Sequence, residues 1–151
     1  MDLTLEEEGA QVTTATSFDP NFPPSNILDG EQGTKWITTG SFPQEVIVQL
    51  ATTASISRVK TWSMNVKEVS VEVCSGPAPT KWEKLYDSSA YSTQYMVLLY
   101  ESDATELSEN DGNLQIESEN VKLGDASFIK FKILSGWNDF VTLNREKILS
   151  L

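Results

Sequence analysis

The sequence predicts an all-β domain, a sandwich or barrel that extends over residues 12–140. Short segments rich in β-branched and aromatic residues recur along the chain, separated by Gly, Pro, Asn and Asp residues that favour turns. No long window shows the hydrophobic period of an amphipathic helix. A chain of 151 residues also fits a single domain with a sizeable core.

The first strand is predicted at residues 12–17, after an acidic lead-in at residues 1–11. A loop follows, because Pro and Gly residues punctuate the chain before Pro43. Apolar residues interrupt this polar loop, which predicts that they anchor it to a core. These anchors are Phe18, Ile27, Leu28 and Trp36. The next strand is predicted at residues 45–50, a short β-branched run.

The middle of the chain predicts strands at residues 56–64, 69–74, 82–86 and 94–100. The second of these alternates most clearly. Its three valines, Val69, Val71 and Val73, share one face, whereas Ser70, Glu72 and Cys74 share the other.

Residues 101–113 carry five acidic side chains and no basic one. This run is either a solvated loop or a docking surface for a basic partner. Residues 114–123 predict an edge strand or hairpin arm, and residues 128–134 alternate as a half-buried strand. Residues 141–151 fit either a last strand or a C-terminal tail.

The charge balance excludes several classes of partner. The chain has 22 acidic and 11 basic residues, a formal net charge of −11, and a pI near 4.3. This balance opposes binding to nucleic acid or to anionic lipid. The amino terminus lacks the features of a signal peptide, and no apolar run is long enough for a membrane span. With one cysteine and no possible internal disulfide, the expected location is the cytoplasm.

Catalytic chemistry finds little support in the sequence. The chain contains no histidine, so a Ser-His-Asp or Cys-His site cannot be assembled. Cys74 lies in a predicted strand and is interpreted as a packed, inert thiol. No pair of carboxylates is distinguished by its spacing. We therefore expect a protein that is not an enzyme.

Asp29 and Thr34 are candidate ligands for a hard cation. A carboxylate, a hydroxyl five residues later and the carbonyls of a Gly-containing loop supply the oxygen atoms that Ca²⁺ prefers. Asp29-Gly30 is equally typical of an ordinary turn. Spacing alone leaves both interpretations open.

The residues Asn26, Asp29, Gly30, Thr34 and Trp36 form an N-x-x-D-G-x-x-x-T-x-W pattern. This pattern resembles the signature of the discoidin or galactose-binding-like family. Residues 69–73 followed by a tryptophan, and residues 129–133 with a lysine where arginine is common, resemble later strands of that family. The resemblance covers residues 15–140 and implies a discoidin/galactose-binding-like jelly-roll β-sandwich.

The same resemblance implies a structural Ca²⁺ held by Asp29, by Thr34 and by the main-chain carbonyl of Asn26. It also implies a ligand near the carboxyl end, for which Asn144 and Glu146 are the candidates. By the same resemblance, Trp36 and Trp82 are expected to be buried core anchors.

Residues 15–17, 23–27 and 38–45 further resemble the discoidin-like subunits of intraflagellar transport complex B. This implies a non-enzymatic subunit of the cytoplasm and the cilium or flagellum. Its partners would be a Rab-like small GTPase and other complex B subunits. The alternative is a Ca²⁺-assisted carbohydrate-binding module, but the chain lacks His and has few Arg for recognising sugar hydroxyls.

Overall fold

A computed structural model describes residues 3–31, 34–88, 115–136 and 141–150. Within these ranges the chain forms two short 3-10 helices, Glu6–Glu8 and Pro24–Leu28, and seven β-strands. The strands are β1 Gln11–Ala15, β2 Trp36–Ile37, β3 Gln44–Met64, β4 Val66–Cys74, β5 Glu83–Ser88, β6 Gln115–Gly136 and β7 Thr142–Ser150. The prediction of an all-β domain is confirmed. Among the described residues, no helix has the length and apolar content needed to cross a membrane.

All the described pairings between strands are antiparallel, in the order β2-β7-β3-β6-β4-β5, with β1 added to β3. β3 and β6 are long and pair with each other twice. Val46 lies opposite Phe131, and farther along Val59 lies opposite Glu119. The register shifts between Gln49 and Ala54. Two long strands that change neighbours at such an irregularity connect the two layers of a sandwich.

This continuity corrects the predicted strand boundaries. The strands expected at 45–50 and 56–64 are both parts of β3, and the described residues of the segments expected at 114–123 and 128–134 are both parts of β6. The predicted break in β3 falls on 51–55, a segment without Gly or Pro, so the backbone stays extended there. The predictions for 94–100 and 101–113 concern segments outside the described residues.

β7 occupies most of the segment predicted as last strand or tail. It pairs with β3 along Thr142–Ser150, and its first residues also pair with β2, where Leu143 lies opposite Trp36. The C-terminal strand therefore lies next to the loop that precedes β2. This placement matters for the candidate site.

The hydrophobic core is formed by buried apolar side chains from these strands and from the second 3-10 helix. Its largest fully buried side chains come from the second 3-10 helix, β2, β3 and β6: Trp36, Phe131, Ile27, Leu28, Ile56, Ile129, Ile133 and Val46. Val69, Val71 and Val73 are buried, as predicted for β4. On the opposite face of β4, Cys74 is buried, which agrees with its interpretation as a packed thiol, and Ser70 is buried as well.

Two of the predicted apolar anchors do not lie in the core. Phe18 is 47% exposed, so the expectation that it anchors the loop is wrong. Trp82 is only half-buried and precedes β5, where the ammonium of Lys130 lies 4.2 Å from its ring centroid. The buried positions of Ile27 and Leu28 are confirmed.

Candidate functional site

The second 3-10 helix positions the candidate cation ligands. Pro24 stands at its start, where a missing N–H is harmless, and Asp29 follows its last residue. Ile27 and Leu28 are 0% and 2% exposed, so they fix the helix to the core, while Asp29 stays exposed. Gly30 then adopts φ +83°, a left-handed conformation that favours glycine and turns the chain back toward Thr34.

Four oxygen atoms converge at this turn. The Thr34 hydroxyl lies 2.6 Å from Asp29 Oδ2, 3.3 Å from the Asn26 carbonyl oxygen and 3.4 Å from the Glu31 carbonyl oxygen. Asp29 Oδ1 accepts a hydrogen bond of 2.8 Å from the Glu31 N–H, which orients the carboxylate. We call these four residues the cradle. Within the described residues, no group of three or more Cys, Asp or Glu side chains is arranged for a metal.

The donor set of the cradle fits a hard cation. It offers a carboxylate, a hydroxyl and two main-chain carbonyls, and no nitrogen or sulfur atom, which is the chemistry that Ca²⁺ selects. Asn26 contributes through its carbonyl, because its side-chain amide donates to the Lys35 carbonyl at 2.9 Å. The structure thus brings Asn26, Asp29 and Thr34 together.

The backbone places Asn144 near the cradle. Leu143 pairs with Trp36, which lies two residues after Thr34. Because the two strands are antiparallel, the next residue of β7, Asn144, lies toward the loop that contains Thr34. The register between β7 and β3 shifts at the same point. The other candidate, Glu146, pairs with Thr61 farther along β7. Of the two, Asn144 therefore has the backbone position nearer to the cradle.

A second polar cluster, which was not predicted from the sequence, holds the loop between β2 and β3. Gln44 is 4% exposed. Its Oε1 accepts hydrogen bonds from the hydroxyls of Thr16 and Ser17, the latter at 2.6 Å, and its Nε2 donates to the Ser41 carbonyl at 2.6 Å. We call these four residues the Gln44 network. It joins segments 15–17 and 38–45, two of the segments whose sequences carry the family resemblance.

Ser17 extends this network toward the core. Its hydroxyl accepts a hydrogen bond of 3.0 Å from the Thr39 N–H, and its carbonyl accepts one of 2.8 Å from the indole Nε1 of Trp36. Thr38 adds a buried link to the start of β7, since its hydroxyl accepts a 3.1 Å hydrogen bond from the Val141 N–H. The loop is therefore fixed at both ends by polar contacts.

Comparison with known proteins gives a consistent result. The F5/8 type C domain model matches residues 11–146. Intraflagellar transport protein 25 of Chlamydomonas reinhardtii is 34% identical over 148 residues, which are 98% of this chain and 69% of that protein. The Homo sapiens homolog of intraflagellar transport protein 25 is 31% identical over 144 residues, 95% of this chain and 88% of that protein.

Solved structures share the architecture at lower identity. Chitosan-binding module 1 from a Paenibacillus chitosanase/glucanase superposes with a TM-score of 0.74 at 19% identity, covering 99% of each chain. The family 32 carbohydrate-binding module of Clostridium perfringens NanJ, in complex with galactose, gives a TM-score of 0.72 at 14% identity, with 97% of each chain covered. The discoidin-like jelly-roll prediction is confirmed.

Proposed function

This chain belongs to the F5/8 type C domain family and to the family of intraflagellar transport protein 25, and from that membership we propose that it is a non-catalytic subunit of intraflagellar transport complex B. In this proposal it forms a heterodimer with a Rab-like small GTPase, intraflagellar transport protein twenty-seven. It then supports transport of cargo along the cilium or flagellum.

The observation that carries this proposal is similarity over nearly the whole chain to proteins named for intraflagellar transport. The Gln44 network supports it physically. Residues 38–45 are the segment with the most specific likeness, and hydrogen bonds made by the Gln44 and Ser17 side chains hold them in place. A surface that is already ordered binds a protein partner with less loss of conformational entropy.

Affinity purification tests the partnership. The tagged full chain is expressed in ciliated cells and recovered, and the co-purifying proteins are identified by mass spectrometry. We expect a Rab-like GTPase and complex B subunits. An unrelated F5/8 type C domain as bait controls for adhesion that depends on the fold alone. Recovery of neither class of protein would sink the proposal.

We also propose a structural Ca²⁺ in the cradle, held by Asp29, Thr34 and the carbonyl of Asn26, with Asn144 as the ligand from β7. An ion bound only to the native state stabilises it by mass action, by about 2.7 kcal/mol at a concentration 100 times Kd. For a chain of this length that corresponds to a rise in Tm of roughly 5–10 °C.

Thermal unfolding in Ca²⁺ and in EGTA measures this effect. Asp29→Asn with Thr34→Val should abolish the difference between the two conditions. Asp19→Asn is the matched control, because Asp19 Oδ1 also accepts a hydrogen bond from the N–H two residues on, that of Asn21, at 2.9 Å. An unchanged Tm after chelation would leave Asp29 as a turn residue only.

The alternative function is a Ca²⁺-assisted carbohydrate-binding module. The neighbouring solved structures include galactose- and chitosan-binding modules, but at under 25% identity they support the fold and not the ligand. The Lys130 ammonium lies over one face of the Trp82 ring, so that face is not free to stack on a sugar. A glycan array that stays blank with and without Ca²⁺ would exclude this function.

A further inference from the structure

Three uncharged segments meet at one end of the domain. Charged residues make up 22% of the chain, yet none occurs in residues 9–18, 36–44 and 133–136. The first two segments are joined where the Thr39 N–H donates to the Ser17 hydroxyl, at 3.0 Å. The third joins them where Gln44 of β3 lies opposite Ile133 of β6. A strongly acidic chain thus keeps one neutral region.

The exposed side chains of this region, which we call the neutral patch, are Phe18, Thr39, Ser41, Pro43 and Leu134. Phe18 and Leu134 are the two large apolar side chains that are exposed in the described part of the chain, at 47% and 39%. Leu134 is the next residue after Ile133, so it lies opposite Pro43. Phe18 lies on the other side of the loop, because the Asp19 N–H donates to the Ile37 carbonyl at 3.2 Å. The two apolar side chains therefore flank segment 38–45.

Charged side chains border the neutral patch. Asp19 follows Phe18 along the chain, Glu45 follows the uncharged segment of the loop, and Lys132 shares a face of β6 with Leu134. All three charged side chains are half-buried. A centre that is poor in charge and contains an aromatic residue, with a polar rim around it, is the usual organisation of a protein–protein interface.

We propose that the neutral patch is the surface through which this chain binds the Rab-like GTPase of the proposed heterodimer, with Phe18 and Leu134 as its apolar contacts. This inference rests on the proposed function and names the surface that performs it. The matching surface of the GTPase is uncharged and partly apolar, because a charge buried against the neutral patch would lose water without gaining a partner.

Charge and hydrogen bonding argue against other occupants. A second copy of the chain would bring a further net charge of −11, and an anionic membrane would meet the same repulsion. A sugar needs free polar groups, but the side chains of Gln44 and Ser17 already bond to each other at 2.6 Å, and Gln44 Nε2 donates to the Ser41 carbonyl. A protein partner that is less acidic than this chain meets neither obstacle.

Isothermal titration of the full chain with the purified Rab-like GTPase from the same organism tests the proposal. The test variants are Phe18→Asp, Leu134→Asp and Leu134→Lys. The matched controls are Thr52→Asp and Thr52→Lys, which place the same charges at an exposed position elsewhere on β3. Far-UV circular dichroism and a thermal melt verify that each variant is folded.

Each test variant should weaken binding about tenfold or more, and each control should stay within about twofold of the wild type. The two Leu134 variants should weaken binding alike, because a charge of either sign is buried without a partner. If one sign weakens binding and the other strengthens it at both positions, net charge alone decides the affinity and the proposal is overturned.

The remaining outcomes separate this inference from the proposed function. If the wild-type chain binds no GTPase, the proposed heterodimer fails and the inference fails with it. If the wild type binds and every patch variant binds equally well, the partner uses another surface and only this inference fails. Size-exclusion chromatography with light scattering tests the other occupant, since a wild-type homodimer that Phe18→Asp dissociates would assign the patch to a second copy.

Hydrogen exchange provides a second readout on the unmodified chain. Addition of the GTPase should slow amide exchange in residues 39–43, which lie between Phe18 and Leu134, and leave residues 51–55 of β3 unchanged. Slowing at 51–55 without slowing at 39–43, in a chain that binds the GTPase, would overturn the assignment of the surface.

Discussion

Replacement of Gln44 by Met tests whether the polar network holds the loop before β3. Gln44 is 4% exposed and makes three side-chain hydrogen bonds, to the hydroxyls of Thr16 and Ser17 and to the carbonyl of Ser41. Met has nearly the same shape and no strong hydrogen-bonding group. The substitution therefore removes the hydrogen bonds without opening a large cavity.

The expected loss of stability depends on how far water can replace each lost hydrogen bond. Three hydrogen bonds contribute about 3 kcal/mol to stability at about 1 kcal/mol each. Thr16 and Ser41 are exposed and Ser17 is half-buried, so water can satisfy much of what they lose. The apolar side chain of Met also gains roughly 1 kcal/mol on burial relative to Gln. We expect a net loss of about 2 kcal/mol.

Urea denaturation followed by tryptophan fluorescence measures this loss. A loss of about 2 kcal/mol should lower the urea midpoint with the m value unchanged. In a separate thermal melt it should lower Tm by roughly 4–8 °C in a chain of this length. Gln49→Met is the control, because Gln49 lies half-buried on the same strand. If Gln44→Met costs no more than Gln49→Met, the network does not stabilise the loop and the reasoning is wrong.

Three further substitutions test the same region, each by urea denaturation. Trp36→Phe should cost about 2–3 kcal/mol, since it leaves a cavity at a fully buried position and removes the indole donor. Thr38→Val should cost about 1–3 kcal/mol, because it leaves the buried Val141 N–H without its hydroxyl acceptor. Gly136→Ala should cost about 1–3 kcal/mol, because the added Cβ would lie 2.6 Å from Val141 Cγ1, whereas Gly76→Ala, with 3.7 Å to its nearest neighbour, should be close to neutral.

Hydrophobic patterning predicted the sheet well, because each strand buries its apolar residues locally. Ile129, Phe131 and Ile133 are buried, as their alternation indicates, and Lys130 and Lys132 are half-buried on the other face. Patterning did not indicate that Ser70, on the opposite face of β4, is buried. That burial depends on which segments pack over the strand, which no local window contains.

The aromatic residues of the loops show the same limit. Phe18 and Trp36 were both expected to be anchors, yet one is 47% exposed and the other fully buried. The difference lies in the backbone. Trp36 begins β2 and pairs with Leu143, and its side chain lies in the core. Phe18 follows Ser17, whose carbonyl and hydroxyl accept hydrogen bonds from the Trp36 indole and the Thr39 N–H. The sequence shows that an aromatic residue is present, but it does not show whether the backbone directs its side chain toward the core or toward solvent.

The burial of polar residues in this loop was not predicted from the sequence, for a related reason. Gln44 and Thr38 would usually be assigned to the surface on polarity alone. Their burial is tolerated because partners distant in sequence satisfy them, Ser17 for the first and Val141 for the second. The family resemblance singled out segments 15–17 and 38–45, and the structure supplies the physical link between them.

Trp36 connects the two polar clusters of the loop. It lies two residues after Thr34 of the cradle and two before Thr38, and its indole bonds to Ser17 of the Gln44 network. Trp36 therefore follows the cradle along the chain and is hydrogen-bonded to the network. The long strands form an architecture that sugar-binding modules share. The proposed cation site and the proposed partner segment lie on either side of Trp36 along the chain, and each is held by its own polar contacts.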